Sequence, residues 1–331
     1  MAETGPISQI AEKLANEMFG EFLWTRSGPI NQDWSCQEPE KHDAKKHPTD
    51  VVFVYDEPYA LKRTYLQCDL KSYAKGSITK SSVRKALLSL ATQVSCAEVS
   101  DEWQRLYTSG DADYDISGLL FVYNHDGEYD KDFKKIIAEL KNEALEIPIR
   151  SRIYLLGPED IYWLDNVRLE MRQMRGSETA ERLPAREYCA FHYPQLARKA
   201  NIQNADARAA TLEMLTSPWI TLRYRTPGDR FERYVVFVRR EASGPEEYEY
   251  LIDYLRHYQC LTEPDCVTVK VLAESAESSV LWGKAVDRYI RNVVFGNNDS
   301  NLAKIVKSIR FRPMEQIISK FSSVNVGMED V

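Results

Sequence analysis

The run from Ile116 to Tyr123 limits the fold more than any other feature of the chain, because it is almost continuously apolar. A strand with one face in water alternates apolar and polar side chains, whereas a continuous apolar run is typical of a strand covered on both faces. Helices on both sides of a sheet provide that cover. The run therefore predicts a central strand in a sheet flanked by helices.

Periodicity in the surrounding sequence supplies the other elements of this sheet. The clearest helix is 81–98, in which Val83, Leu87, Leu90 and Val94 recur at steps of three and four residues. The same criteria predict helices at 7–22 and 130–146, and strands at 50–55, 64–73 and 152–156, with a turn at 157–160 and a returning strand at 161–164. The polar stretch 25–49 has the composition of a long loop. The predicted class is α/β (α+β), a mixed sheet flanked by helices.

The second half of the chain predicts a separate α+β unit. Residues 176–204 are polar and irregular, so we place the boundary there and expect domains at 1–175 and 176–331. Strands are predicted at 219–225, 234–239 and 267–272, and helices at 245–259, 280–294 and 313–321. A ferredoxin-like arrangement fits this order, and no internal repeat is apparent.

Composition restricts the functional classes. The 331 residues carry a formal net charge of −7, so any binding of a polyanion requires a local basic surface. The sequence contains no run of eighteen consecutive apolar residues, so no membrane span is predicted. The first residues do not resemble a secretory signal. The six cysteines form no CxxC pair, which favours reduced thiols in a cytoplasmic protein.

The predicted hairpin of 50–55 and 64–73 carries the chemistry. Side chains alternate along a strand, so Leu66, Cys68 and Leu70 are expected to point into a core, whereas Asp69 and Lys71 share the opposite face, outside the core. A turn about Tyr59 and Ala60 places Asp50 opposite Asp69, with Cβ atoms about 5 Å apart. Two carboxylates at that distance repel each other unless a cation lies between them. Mg²⁺ or Mn²⁺ suits such oxygen ligands, and an adjacent lysine can stabilise phosphate charge.

Pro48-Thr49-Asp50 followed by Asp69-Leu70-Lys71 resembles the PD-(D/E)xK restriction-endonuclease-like nucleases, including those of bacterial anti-phage defence. The resemblance covers about residues 7–157, and Thr49 departs from the motif by separating the proline from the acid. It implies that Asp50, Asp69 and the carbonyl of Leu70 bind Mg²⁺ or Mn²⁺, and that Lys71 is catalytic. It also implies an acid on the first helix, either Glu12 or Glu17, of which Glu17 is our candidate, and Gln93 on the next helix.

A basic segment accompanies this motif. Residues 60–85 contain seven lysines and arginines and a single acid, Asp69. Four of these basic residues are our candidates for contacts with nucleic acid: Lys75, Lys80, Arg84 and Lys85. A solvated start of a helix is the alternative interpretation of these charges.

Other residue clusters give weaker signals. Cys36, His42 and His47 suggest zinc, but a fourth ligand is missing, so we favour ordinary loop residues. Cys189 and His192 are taken as packing residues rather than a nucleophile and its base. Cys260 and Cys266 flank a loop and are expected to stay reduced. The arginines between 223 and 240, interleaved with aromatic residues, suit contact with nucleic acid. The tryptophan and tyrosines of this region suit a protein interface or a half-buried sheet equally well.

These observations predict a metal-dependent endonuclease that hydrolyses phosphodiester bonds, with DNA as substrate by analogy and anti-phage defence as its setting. The second domain is expected to position substrate, bind a companion sensor or NTPase, or form a homo-oligomer. One alternative is a catalytically silent nuclease-like module that binds nucleic acid or a partner NTPase. A purely structural interaction protein is the other.

Overall fold

The computed structural model describes residues 5–179, 181–194, 204, 207–226, 228–272, 276–295, 297 and 300–314, with side chains from residue 11 onward. These residues form two compact units, each with its own sheet. The first unit extends to Asp165 and includes residues 204 and 207–209, and the second begins at Asn166. None of the helices in the described part of the chain is long and apolar enough to cross a membrane.

The first unit is a five-stranded mixed sheet with helices on both faces, as predicted. Its helices are α1 (Gly5–Glu21), α2 (Pro39–His42), α3 (Lys80–Val99), α4 (Asp101–Tyr107), α5 (Phe133–Leu140) and α6 (Pro158–Gly176), the last of which continues into the second unit. Its strands are β1 (Thr25–Ser27), β2 (Gln32–Ser35), β3 (Lys46–Thr49), β4 (Val51–Asp56), β5 (Arg63–Tyr73), β6 (Tyr114–Asn124) and β7 (Ile153–Leu156). The sheet order is β1-β4-β5-β6-β7, with β1, β4 and β5 antiparallel and β5, β6 and β7 parallel.

Strand β6 is buried on both faces, which confirms the prediction made from its apolar run. On one face, the ring of Phe19 from α1 lies 6.1 Å from that of Phe121. On the other face, α3 packs so closely that a Cβ atom added at Gly118 would lie 3.0 Å from Leu90 Cγ. Thr79 caps α3 through its hydroxyl, which accepts a hydrogen bond from the Ser82 N–H.

Two parts of the first unit differ from the prediction. The polar stretch 25–49 is not a plain loop, because β2 and β3 pair as a hairpin that buries Trp34 to 1 % exposure. Residues 157–164 do not form a turn and a strand but begin α6. Pro158 has the φ angle that a first helical turn needs, and Glu159 and Asp160 in that turn are favourable for the helix dipole.

The second unit contains a second five-stranded sheet, of order β12-β11-β10-β9-β8. Its strands are β8 (Cys189–Phe191), β9 (Trp219–Tyr224), β10 (Arg233–Val238), β11 (Val267–Val271) and β12 (Arg310–Pro313). Its further helices are α7 (Leu212–Leu215), α8 (Pro245–His257), α9 (Glu277–Val293) and α10 (Asn301–Ser308). Of these elements, β8, β12, α7 and α10 were not predicted. The sequence predicts a helix at 313–321, but Pro313 is the last residue of β12 in the structure. Residues 315–321 lie outside the described residues.

The ferredoxin-like expectation for this unit is wrong, because β10, β11 and β12 are parallel. Strands β8, β9 and β10 are antiparallel. The second sheet therefore has the strand order and directions of the first: two antiparallel pairings followed by two parallel ones. A repeat of topology is present even though the sequence shows no repeat.

Candidate active site

The two predicted acids meet at the open end of the β4–β5 hairpin. Val51, the first residue of β4, pairs with Cys68, so the next step outward brings Asp50 opposite Asp69. The register inferred from the turn position is thus confirmed. Because α3 covers the face on which Asp69 lies, that residue is only 6 % exposed. The hairpin places two acidic groups side by side in a poorly hydrated environment.

The proximity of the acids alters the ionisation of Asp50. Burial and the negative charge of Asp69 raise the pKa of Asp50 to about 6, and a hydrogen bond between the two carboxyl groups acts in the same direction. The N–H of Leu70, which donates to Asp50 Oδ2 at 2.7 Å, and the charge of Lys71 oppose the rise. Asp50 therefore keeps a proton at a pH where an ordinary aspartate is ionised.

Lys71 completes a compact charged cluster. Its Nζ lies 2.6 Å from Asp69 Oδ1. Burial lowers the pKa of Lys71, but the charge and the hydrogen bond of Asp69, with the charge of Asp50, outweigh burial and raise that pKa above its ordinary value. The lysine is consequently a fixed cation beside the acid pair.

A buried hydrogen-bond network around Gln67 lies next to this cluster on β5. Gln67, two residues before Asp69 on the same face, is fully buried. Its Oε1 accepts hydrogen bonds from Thr49 Oγ1 at 3.1 Å and from Trp103 Nε1 at 3.0 Å. Its Nε2 donates to the carbonyl of Pro48 at 3.2 Å. This face of β5 was expected to lie outside the core, and that expectation is wrong because α3 and α4 cover it.

Gln93 joins the site through the same network. It lies on α3, and its Oε1 accepts a hydrogen bond from Gln67 Nε2 at 3.0 Å. Its own Nε2 lies 3.4 Å from Ser89 Oγ. The structure thus brings Gln93 against the strand that carries Asp69 and Lys71. Sequence reasoning identified Gln93 but missed Gln67, whose only signal was its place in the alternation of β5.

The part of the chain that carries this cluster matches a known protein family. Residues 1–160 match the family model described as the GAPS4 protein PD-(D/E)XK nuclease domain. This part of the chain is a PD-(D/E)XK nuclease domain. Neither a curated protein nor a solved structure matches the chain. The mixed sheet flanked by helices is the fold expected of such a domain.

Asn31 links the first helix of the nuclease domain to the site, because it contacts both Glu12 and Asp50. Asn31 Nδ2 donates to Glu12 Oε2 at 3.2 Å, and the Asn31 N–H donates to the carbonyl of Asp50 at 2.9 Å. Glu12 is therefore connected to the residue that carries the first acid. Glu17, the candidate from the sequence, lies half-buried on the same helix, and its role at the site stays a prediction.

The basic residues proposed for nucleic-acid contact are not an isolated positive segment. Residues that follow β6 bring acids beside three of them: Lys75 pairs with Asp130 at 2.7 Å, Lys80 with Glu139 at 3.2 Å, and Arg84 with Glu143 at 2.9 Å. The local charge is therefore closer to balance than the count between residues 60 and 85 indicated. Such exposed pairs contribute little to stability, so phosphate groups can compete for these cations.

In the second unit, acids and carbonyl oxygens contact most members of the arginine cluster. Arg223 pairs with Glu232 at 3.3 Å, and Arg233 pairs with Asp229 at 3.3 Å. Cys189 is buried, its Sγ lying 3.7 Å from the carbonyl of Ala185, as expected for a packing residue.

Proposed function

We propose that the nuclease domain hydrolyses phosphodiester bonds at the site formed by Asp50, Asp69 and Lys71, with Mg²⁺ or Mn²⁺ as cofactor and DNA as substrate. The observation that carries this proposal is the pair of opposed, poorly hydrated carboxylates with a lysine 2.6 Å from one of them. A pair of this kind is unfavourable in the free protein and becomes favourable when a divalent cation neutralises it.

The donor set fits a hard divalent cation. Asp50 and Asp69 supply carboxylate oxygens, and a cation between them would neutralise the negative charge of Asp69 that, after burial, raises the pKa of Asp50. The N–H of Leu70 points toward Asp50, and in an extended strand the carbonyl of the same residue points to the same side. These three groups would hold the ion, which when bound would polarise the scissile phosphate and activate water.

The protein groups around the ion have separate tasks. Lys71 places a positive charge where negative charge develops on the phosphate. Buried hydrogen bonds of Gln67 join β5 to Thr49 and to Gln93 on α3, and so fix the backbone next to both acids. Gln93 is a candidate to contact substrate or water from α3, and Lys75, Lys80, Arg84 and Lys85 are candidates for the phosphate backbone.

We propose a role in anti-phage defence, because the motif of Asp50, Asp69 and Lys71 resembles that of nucleases in bacterial defence systems. A companion sensor or NTPase would supply activation, since the sequence contains no nucleotide-binding loop of the GxxxxGK[ST] or GxGxxG type. The second unit would serve substrate positioning, partner binding or self-association.

Cleavage assays test the proposal. Plasmid, single-stranded DNA, double-stranded DNA and RNA are incubated with the full chain and Mg²⁺ or Mn²⁺, beside Asp69→Ala and Lys71→Ala. Matched controls are Asp113→Ala and Lys131→Ala, which replace exposed residues outside the site. We expect metal-dependent cutting of DNA by the wild type and both controls, and none by the two site variants.

Cutting that persists in both site variants would place the activity elsewhere or in a contaminant. If the wild type does not cut, calorimetry of Mn²⁺ binding separates the remaining cases. Binding that Asp69→Ala removes would indicate an enzyme that awaits a companion protein. Absence of binding to the wild type would favour the silent module.

A further inference from the structure

Four side chains near the β2–β3 hairpin converge on one point. Cys36 follows β2, His42 ends α2, His47 lies in β3, and Cys96 lies on α3. One ligand atom from each of the four lies within 4.8 Å of all the others. The sequence alone showed three of these residues and lacked a fourth. Cys96, 49 positions beyond His47, supplies it through the fold.

The distances match the edges of a tetrahedral zinc site. The sulfur atoms of Cys36 and Cys96 are 3.8 Å apart. Two thiolates at about 2.3 Å from a tetrahedral Zn²⁺ are separated by about 3.8 Å. Cys36 Sγ lies 3.2 Å from His42 Nδ1. His42 and His47 are separated by four residues, which is within the spacing that structural zinc sites use for paired histidines.

The surroundings are those of a ligand set rather than of surface residues. Cys96 is fully buried and His47 is 4 % exposed. The Nε2 atom of His47 is buried and has no hydrogen-bond partner among the described residues. A buried polar atom without a partner is costly, and a metal ion would remove that cost.

Hydrogen-bond partners of His42 and Cys96 point to the same assignment. His42 directs Nδ1 toward Cys36, and its Nε2 lies 3.5 Å from Glu38 Oε2. A carboxylate on the distal nitrogen is the usual way in which a zinc-bound histidine is oriented. The Gln37 N–H donates to Cys96 Sγ at 3.2 Å, which stabilises a thiolate.

We propose that Cys36, His42, His47 and Cys96 bind one structural Zn²⁺ ion. Four protein ligands leave no open position, as in structural rather than catalytic sites. The ion would tie the β2–β3 hairpin to α3. Because β3 ends at Thr49, directly before Asp50, and Gln93 lies three residues before Cys96, it would also fix the two segments that flank the acid pair. Zinc binding itself does not depend on the proposed nuclease activity.

Metal analysis of the full chain tests the proposal. The protein is produced with added zinc and passed over chelating resin. Its zinc content per chain is then measured by elemental mass spectrometry. Cys96→Ser and His47→Gln replace ligands, whereas Cys266→Ser and His257→Gln are matched controls outside the cluster. Asp69→Ala excludes zinc held at the acid pair. We expect one zinc per chain in the wild type, in the controls and in Asp69→Ala, and a loss of about tenfold or more in the ligand variants.

A second measurement covers the case in which the ligand variants fail to fold. The wild type is titrated with a mercurial thiol reagent while released zinc is followed with a chromogenic chelator. Zinc release that accompanies thiol modification supports the proposal. Wild-type protein without zinc, zinc that survives complete thiol modification, or a Cys36–Cys96 disulfide in peptides prepared without reductant would each overturn it.

Discussion

Replacing Asp50 by asparagine should stabilise the metal-free protein while abolishing its activity. Asparagine keeps an oxygen that can accept the hydrogen bond from the Leu70 N–H, but it removes the charge that burial and Asp69 make unfavourable. A stability gain at the position of a proposed metal ligand is the result expected if the acid pair is built for a cation.

The magnitude follows from the pKa of Asp50. Its rise from 3.8 to about 6 corresponds to at most about 3 kcal/mol, since each pKa unit is worth about 1.4 kcal/mol. Partial solvent exposure of Asp50 reduces this figure, and we expect about 1–2 kcal/mol. For a domain of this size, that gain raises the melting temperature by roughly 2–8 °C.

The gain should depend on pH in a defined direction. Below pH 3.8 the carboxyl group is protonated in both the folded and the unfolded states, so its replacement changes little. As the pH rises from 3.8 through about 6, the unfolded state ionises first and the folded wild type becomes relatively less stable. The full advantage of Asp50→Asn is therefore present above pH 6.

Thermal unfolding at a series of pH values measures this effect. The buffer contains no magnesium and no chelator, so that any bound zinc is left in place. Asp33→Asn, which replaces an exposed aspartate, is the control. Added Mg²⁺ should stabilise the wild type and not Asp50→Asn. A variant that is destabilised at pH 7.5, or stabilised equally at pH 4 and pH 7.5, would refute the argument that the acid pair is repulsive.

Further predictions concern the same site and its support. Lys71→Met should lower the cleavage rate by on the order of 10²–10³ in single-turnover assays while Mn²⁺ binding measured by calorimetry persists. Gln67→Leu should cost about 2–4 kcal/mol in urea unfolding, because Thr49 and Trp103 lose a buried partner. Gly118→Ala should cost about 1–3 kcal/mol in the same assay, since the added Cβ atom meets Leu90 and Ile153. Mn²⁺ affinity should fall as the pH drops through about 6, because Asp50 then binds a proton, and a pH-independent affinity would contradict this.

The sequence predicted the elements whose signals are local. The apolar run of β6 and the periodicity of α3 do not depend on distant residues. The hairpin register could be predicted because a short connection fixes which residues of β4 and β5 face each other. These elements were sufficient to locate Asp50, Asp69 and Lys71.

Features that depend on contacts distant in sequence were missed. The β2–β3 hairpin is polar overall, and its stability comes from Trp34, whose Nε1 donates to Thr49 Oγ1 at 2.9 Å. Helix α4 is short and is anchored by Trp103 on Gln67. Likewise, the acids that balance Lys75, Lys80 and Arg84 come from residues more than fifty positions later. Local periodicity contains no information about such pairings.

The second unit shows that the fold and the chemistry of the first are separable. Its β9–β10 hairpin has the same place in the sheet as β4–β5, and its last pair is Trp219 with Val238. The next step outward, which in the first unit holds two acids, here holds Pro218 and Arg239, and Glu241 stands where Lys71 would. The side chains of proline and arginine offer no oxygen ligand to a divalent cation. The topology alone therefore does not imply catalysis, and the proposed hydrolysis requires the acids and the lysine at the end of the first hairpin.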